Sequence, residues 1–126
     1  MPYIQLDLPR DPSEADFSPV ATDVADLYAE VMQTTPSGVT VAVRELGAGR
    51  VLRGGRAVVA IRCDIRSGRP DAQREAFAVA LTDLVARRAQ DLGAARSVIY
   101  FTEGPGRWIF EEGKPNPDWS AAEATG

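Results

Sequence analysis

Apolar and polar positions alternate along Tyr3-Ile4-Gln5-Leu6-Asp7-Leu8, with Ile4, Leu6 and Leu8 on one side. A period of two marks a half-buried strand. Pro9, Asp11, Pro12 and Ser13 break it. Val20, Val24, Leu27, Tyr28 and Val31 then recur at helical spacing. They predict an amphipathic helix opening at Ser18-Pro19, a capping residue followed by a first-turn proline. Thr34-Thr35-Pro36-Ser37-Gly38 ends the helix, and the β-branched run from Val39 to Val43 predicts a second strand.

The pattern then repeats. Ala57 to Ile65 reads as a strand and Arg66-Ser67-Gly68-Arg69-Pro70 as a tight connection. A long helix follows from Pro70 to Leu92, with Phe77, Ala80, Leu81, Leu84 and Arg88 on one side and Gly93 as its C-cap. Ser97 to Phe101 is the fourth main strand. Each long crossover makes its two strands parallel and is right-handed. The expected fold class is α/β of the α+β kind. Two β-α-β units, residues 2–46 and 57–102, form a four-stranded mixed sheet with two helices on one face. They make a single domain, 1–126, that ends in a tail at 103–126. The strands carry an apolar excess, so the sheet face away from the helices is expected to be buried against other subunits.

Two segments fall outside this repeat. Residues 47–56, Gly-Ala-Gly-Arg-Val-Leu-Arg-Gly-Gly-Arg, hold four glycines. No Lys-Ser/Thr or GxGxxG pattern enters a helix there, so a hairpin tip or a mobile loop is expected rather than a phosphate cradle. In the tail, Gly104-Pro105-Gly106 leads into Arg107-Trp108-Ile109-Phe110. That cluster is too apolar for a free tail and is expected to pack on a neighbouring surface or line a pocket. Ala121 to Gly126 are expected to fray.

Composition narrows the chemistry. The net charge of -4 argues against a nucleic-acid surface. Every basic residue except Lys114 is arginine, the side chain suited to bidentate recognition of carboxylate. The chain has no histidine, which removes imidazole base chemistry, the Ser-His-Asp triad and the usual histidine metal sites. No motif calls for a metal or a cofactor. Cys63 is the single cysteine, so no intrachain disulfide forms, and its apolar strand makes it a buried small hydrophobe. No cationic apolar leader opens the chain and no run approaches membrane-spanning length. A cytoplasmic protein without a membrane partner is expected.

Position 2 is the most informative residue. If Met1 is removed, the chain starts with the secondary amine of Pro2 at the mouth of the first strand. An amine held in an apolar pocket near cations loses its proton more readily and serves as a base or nucleophile. A retained Met1 converts the same nitrogen to an amide.

Pro2, a strand, a helix, a strand and a glycine-rich segment precede Ile-Arg-Cys-Asp-Ile-Arg-Ser-Gly-Arg-Pro and a second helix. This order resembles the tautomerase superfamily, whose members use an N-terminal proline as catalyst. The Arg-x-Gly-Arg segment and the tail most resemble the cis-3-chloroacrylic acid dehalogenase-like group, over roughly residues 2–115. The resemblance implies the MIF-like fold, a homotrimer and a small carboxylate substrate. Pro2 matches the catalytic proline, and Arg66 and Arg69 match the pair that holds the substrate carboxylate. Tyr100 matches a tyrosine that assists the water or the developing charge. Glu111 matches the water-activating carboxylate, with Glu112 as the neighbouring assignment. The group carries a further carboxylate-binding histidine on the first helix; here the equivalent position is Tyr28 or Ala29. Tyr28 offers one neutral hydrogen bond in place of a charge-assisted one. Tautomerisation or hydration is therefore expected ahead of dehalogenation, with a catalytically silent small-acid-binding protein of the same fold as the rival.

Overall fold

The computed structural model describes residues 1–125. Strand β1 (Tyr3–Leu8) buries Ile4, Leu6 and Leu8 completely and turns Tyr3, Gln5 and Asp7 the other way. Helix α1 (Ser18–Met32) starts where the Asp16 carboxylate accepts from the Ser18 backbone N–H at 2.9 Å and its hydroxyl at 2.7 Å. It buries Val20, Val24, Tyr28, Ala29 and Met32. A 3₁₀ turn, Pro36–Gly38, delivers the chain to β2 (Thr40–Glu45). The glycine-rich segment forms a small hairpin of β3 (Leu52–Arg53) and β4 (Arg56–Ala57). Its tip is Gly54-Gly55, at φ of 59° and 77°, a conformation that suits a two-residue hairpin turn. Then come β5 (Val59–Arg66), α2 (Asp71–Arg87), α3 (Ala89–Leu92) and β6 (Ser97–Gly104).

The main sheet has the order β2-β1-β5-β6. Strands β1 and β2 are parallel, as are β5 and β6, while β1 and β5 run antiparallel with Tyr3 opposite Asp64. Both main helices lie on one face. Ile4, Leu6, Ile61, Cys63 and Ile65 meet Val24, Tyr28, Met32, Phe77, Leu81 and Val85 in one core. Tyr28 and Phe77 join the helices edge to face, ring centres 5.1 Å apart at 83°. Burying each large side chain in such a core contributes about 1.5–3 kcal/mol.

Two expectations need correction. The long second helix is two helices. Arg88 leaves helical geometry at φ -108° and ψ 21°, and its guanidinium pairs with Asp23 of α1. Gly93, left-handed at φ 92°, caps the short α3 instead. The apolar excess of the strands also lies toward the helices rather than on the open face. That face carries a polar ladder. The Gln5 amide donates to Asp7, Arg44 reaches Asp7 at 2.7 Å, and Arg62 lies 3.3 Å from Asp64 and 5.8 Å from the Tyr3 ring.

The antiparallel joint positions the site. It brings the start of β1, with Pro2, to the end of β5, with Arg66. The start of β2 and the end of β6 arrive at the same edge, because Tyr3 pairs with Thr40 and Arg66 with Gly104. Side chains from four strand ends can therefore converge there, although they are distant in sequence.

Candidate active site

Pro2 is buried, and its carbonyl accepts from the Thr40 N–H at 3.0 Å. The terminal nitrogen of Met1 lies 2.8 Å from Oε1 of Glu111. Glu111 reaches this place on a second hairpin, β7 (Phe110–Glu111) paired with β8 (Lys114–Pro115). Glu112 and Gly113 form its turn, at φ of 51° and 79°. Glu112 lines a neighbouring cleft with Ser37, Thr40 and Lys114. Of the two glutamates, it is Glu111 that meets the chain terminus.

Met1 lines two cavities. One is a space of about 370 Å³ whose lining is mainly apolar and includes Ile65, Pro105, Trp108 and Ile109. The other, of about 360 Å³, is lined by Thr34, Thr35, Asn116 and Pro117 together with the charged Arg66, Glu111 and Glu123. The Trp108 cluster thus does line a pocket, while Trp108 and Phe110 remain 70% and 62% exposed, more than any core aromatic.

The two arginines differ in what they can do. Both are 5% exposed. Arg66 lines the second cavity, where it donates to the Pro117 carbonyl at 2.9 Å and pairs with Glu123. Arg69 donates its Nε–H to the Met32 carbonyl at 2.9 Å. Its guanidinium lies between the rings of Tyr28 and Trp119, at 5.4 and 5.2 Å. Both of its terminal nitrogens lack a hydrogen-bond partner among the described residues. Burial pulls the Arg69 guanidinium below its ordinary value, against the attraction of Tyr28.

Tyr28 lies beneath Arg69 and does not reach the cavity. Its hydroxyl is buried without a partner among the described residues, and burial pushes its pKa up to about 12. It supports Arg69 and remains a neutral phenol at physiological pH. Tyr100 is not brought to the cavity within one protomer. It stands 60% exposed on the open sheet face, opposite Arg62.

Sequence reasoning missed the end of the tail. Ala121–Thr125 form a 3₁₀ turn, where fraying was expected; Gly126 lies outside the described residues. Glu123 accepts from Arg66 and from the Thr34 hydroxyl, the latter at 2.8 Å. Burial works to raise the Glu123 pKa, but the bonds from Arg66 and Thr34 outweigh it and hold the carboxyl below its usual value. Trp119, an apolar ring in a polar stretch, is the one local signal that this tail is anchored.

No family model matches the sequence, and no curated protein does. Solved structures do match. The chain is similar to N1, a member of the cis-3-chloroacrylic acid dehalogenase (cis-CaaD) family. Identity is 25% over 92% of this chain and 84% of that one, with a TM-score of 0.75. It is similar to the Q0 fused 4-OT symmetric trimer at 15% identity, over 90% of this chain and 94% of that one, with a TM-score of 0.73. It is also similar to Pt0534 inactivated by 2-oxo-3-pentynoate, at 18% identity over 90% and 94% of the two chains and a TM-score of 0.71.

Proposed function

We propose, proceeding from the chain's membership of the tautomerase superfamily and its likeness to the cis-3-chloroacrylic acid dehalogenase group, that it is a proline-dependent tautomerase or hydratase of small 2-oxo, enol or unsaturated carboxylic acids. The observation that carries this reading is the terminal nitrogen of Met1, 2.8 Å from Glu111, on a residue that lines both an apolar and an arginine-lined cavity. Loss of Met1 frees the Pro2 nitrogen as a secondary amine beside both spaces. The pair suits an acid with a carboxylate near Arg66 and a hydrocarbon group near Trp108.

Arg66 anchors the carboxylate, with Arg69 behind it. In tautomerisation, neutral Pro2 takes the enol proton and a proton returns from it to carbon. The arginines oppose the negative charge that builds on the enolate. In hydration, Glu111 takes a proton from water as the water oxygen attacks the third carbon, and the Pro2 ammonium gives a proton to the second. Tyr100 projects from the open sheet face, so its part in water activation is assigned to the assembled oligomer. That oligomer is proposed to be a homotrimer, on the likeness to fused 4-OT trimers. A silent acid-binding role is the rival reading, favoured by Met1 itself, because an amide at Pro2 has no basicity. Intact mass separates the two.

Initial rates with phenylenolpyruvate and with an acetylenic three-carbon acid test the proposal. Pro2→Ala is expected to slow both reactions by about 10²-fold or more. Arg66→Ala raises KM for both. Glu111→Gln keeps tautomerisation and loses hydration. The two reactions need opposite protonation states of Pro2. The tautomerase rate therefore rises as the amine deprotonates, and the hydratase rate falls. Unchanged rates in Pro2→Ala overturn the reading.

A further inference from the structure

Beyond β8 the chain turns back over the arginines. The Trp119 N–H donates to the Ser67 carbonyl at 2.8 Å, and its indole N–H donates to the Gln33 carbonyl at 3.0 Å. The Gly106 N–H donates to Asp118 at 2.7 Å. A Cβ on Gly106 would stand 2.3 Å from the Pro117 carbonyl oxygen, so backbone lies directly on backbone here. At the end of this strap, one oxygen of Glu123 accepts from both Arg66 and Thr34.

The two terminal nitrogens of Arg66 are thereby engaged, Nη1 by the Pro117 carbonyl and Nη2 by the Glu123 carboxylate, while its buried Nε has no partner among the described residues. Charges around the cavity cancel: the Met1 amine and Arg66 against Glu111 and Glu123. Arg69 keeps two unpartnered nitrogens, but Trp119 lies over them. A carboxylate entering the cavity meets the Arg66 charge already paired with Glu123.

We propose that Glu123 sets the affinity and selectivity of the site: its side-chain carboxylate is an internal ligand of Arg66, in the place a substrate carboxylate takes, and substrates bind by displacing it. The inference rests on the proposed function for the identity of the displacing ligand. The contact it describes is independent of Pro2 chemistry. An intramolecular carboxylate competes at the high effective concentration that a short tether gives. Neutral molecules have no such competitor to displace, so the tail selects for acids that bind Arg66 better than a glutamate side chain does.

Calorimetric titration tests this, with sodium acrylate and its neutral amide, acrylamide, added to the full chain and to Glu123→Gln. Gln keeps a hydrogen-bond acceptor but not the charge. Acrylate is expected to bind Glu123→Gln about tenfold more tightly, the change that follows if the tail occupies Arg66 about nine-tenths of the time. Acrylamide binding should not change. In the unmodified chain, saturating acrylate should also shift the Trp119 indole N–H resonance, as its bond to Gln33 is disturbed. Equal or weaker acrylate binding by Glu123→Gln, with its fold intact by circular dichroism, overturns the proposal. If Glu123→Gln misfolds, an acrylate-insensitive Trp119 resonance in the unmodified chain overturns it equally. The two readings fail separately. Tighter acrylate binding with undiminished turnover in Pro2→Ala leaves this inference standing and removes the proline catalyst. The reverse pair of results does the opposite.

Discussion

The carbonyl oxygen of Trp119 lies 2.1 Å from where a Cβ on Gly68 would stand. The tail therefore crosses the Arg66–Pro70 connection in direct backbone contact, and Gly68 is required by the tail's approach. Its φ of 121° adds a second reason, since L side chains rarely adopt it. Gly68→Ala must either strain this loop or lift the tail. It is expected to lower stability by about 1–3 kcal/mol in urea denaturation. An unchanged midpoint would show that Trp119 does not seat on residue 68 in solution.

Tyr28 supports Arg69 by packing, and its hydroxyl has no partner among the described residues. Tyr28→Phe removes only that buried hydroxyl and is expected to be neutral or stabilising by about 1 kcal/mol, since an unsatisfied buried polar group is a cost. Tyr28→Ala leaves a cavity beside Phe77 and should cost about 3–5 kcal/mol. Thermal unfolding of both variants checks this. A large loss in Tyr28→Phe would mean that the hydroxyl holds a partner after all.

Cys63 is fully buried, opposite Ile4 in the sheet. Burial first, and the Asp64 charge second, push its thiol up to about 12. Thiolate is the reactive form, so iodoacetamide should leave the native protein untouched at pH 8 and alkylate it once in denaturant. Rapid labelling of the native chain would place Cys63 in a different environment.

The repeat was legible because each element carries its own signal. Ile4, Leu6 and Leu8 define β1 without reference to anything distant. Val20, Val24 and Tyr28 do the same for α1, while the four glycines of residues 47–56 left a hairpin tip and a mobile loop both open. Arg66 and Pro2 stood out by type and place. What the local pattern leaves open is which residues meet across the chain. The antiparallel joint of β1 and β5 depends on pairing Tyr3 with Asp64, sixty-one positions apart by number. The partner of Arg66 lies in a segment of Ala, Glu and Thr with no apolar period, and only the cavity reveals it. The side on which the apolar surplus lies was hidden for a related reason. An apolar count along a strand does not say which side carries the surplus, whereas the ladder of Gln5, Asp7, Arg44, Arg62 and Asp64 does.

Glu123 also makes stability depend on pH. Its pKa in the folded chain is lowered from the ordinary 4.5. A depressed carboxylate contributes stability that is present above the unfolded value and is lost as pH falls through the folded one. The unfolding temperature of the natural chain should therefore exceed that of Glu123→Gln at pH 7. The gap should close progressively as pH drops below about 4.5. A gap that stays constant down to pH 3 would remove the Arg66–Glu123 pair as its source.

The proposed catalysis requires the Pro2 nitrogen to be a free amine once Met1 is lost. Covalent labelling by 2-oxo-3-pentynoate tests it most directly. The amine nitrogen adds to the alkyne carbon, and its proton passes to the adjacent carbon, so the chain gains the whole mass of the reagent. Peptide mapping of the labelled protein, with loss of Met1 verified by intact mass, is expected to find one label per chain, on Pro2, and much slower labelling in Arg66→Ala. A chain that retains Met1, or a label that falls on Lys114 or nowhere, would contradict the account.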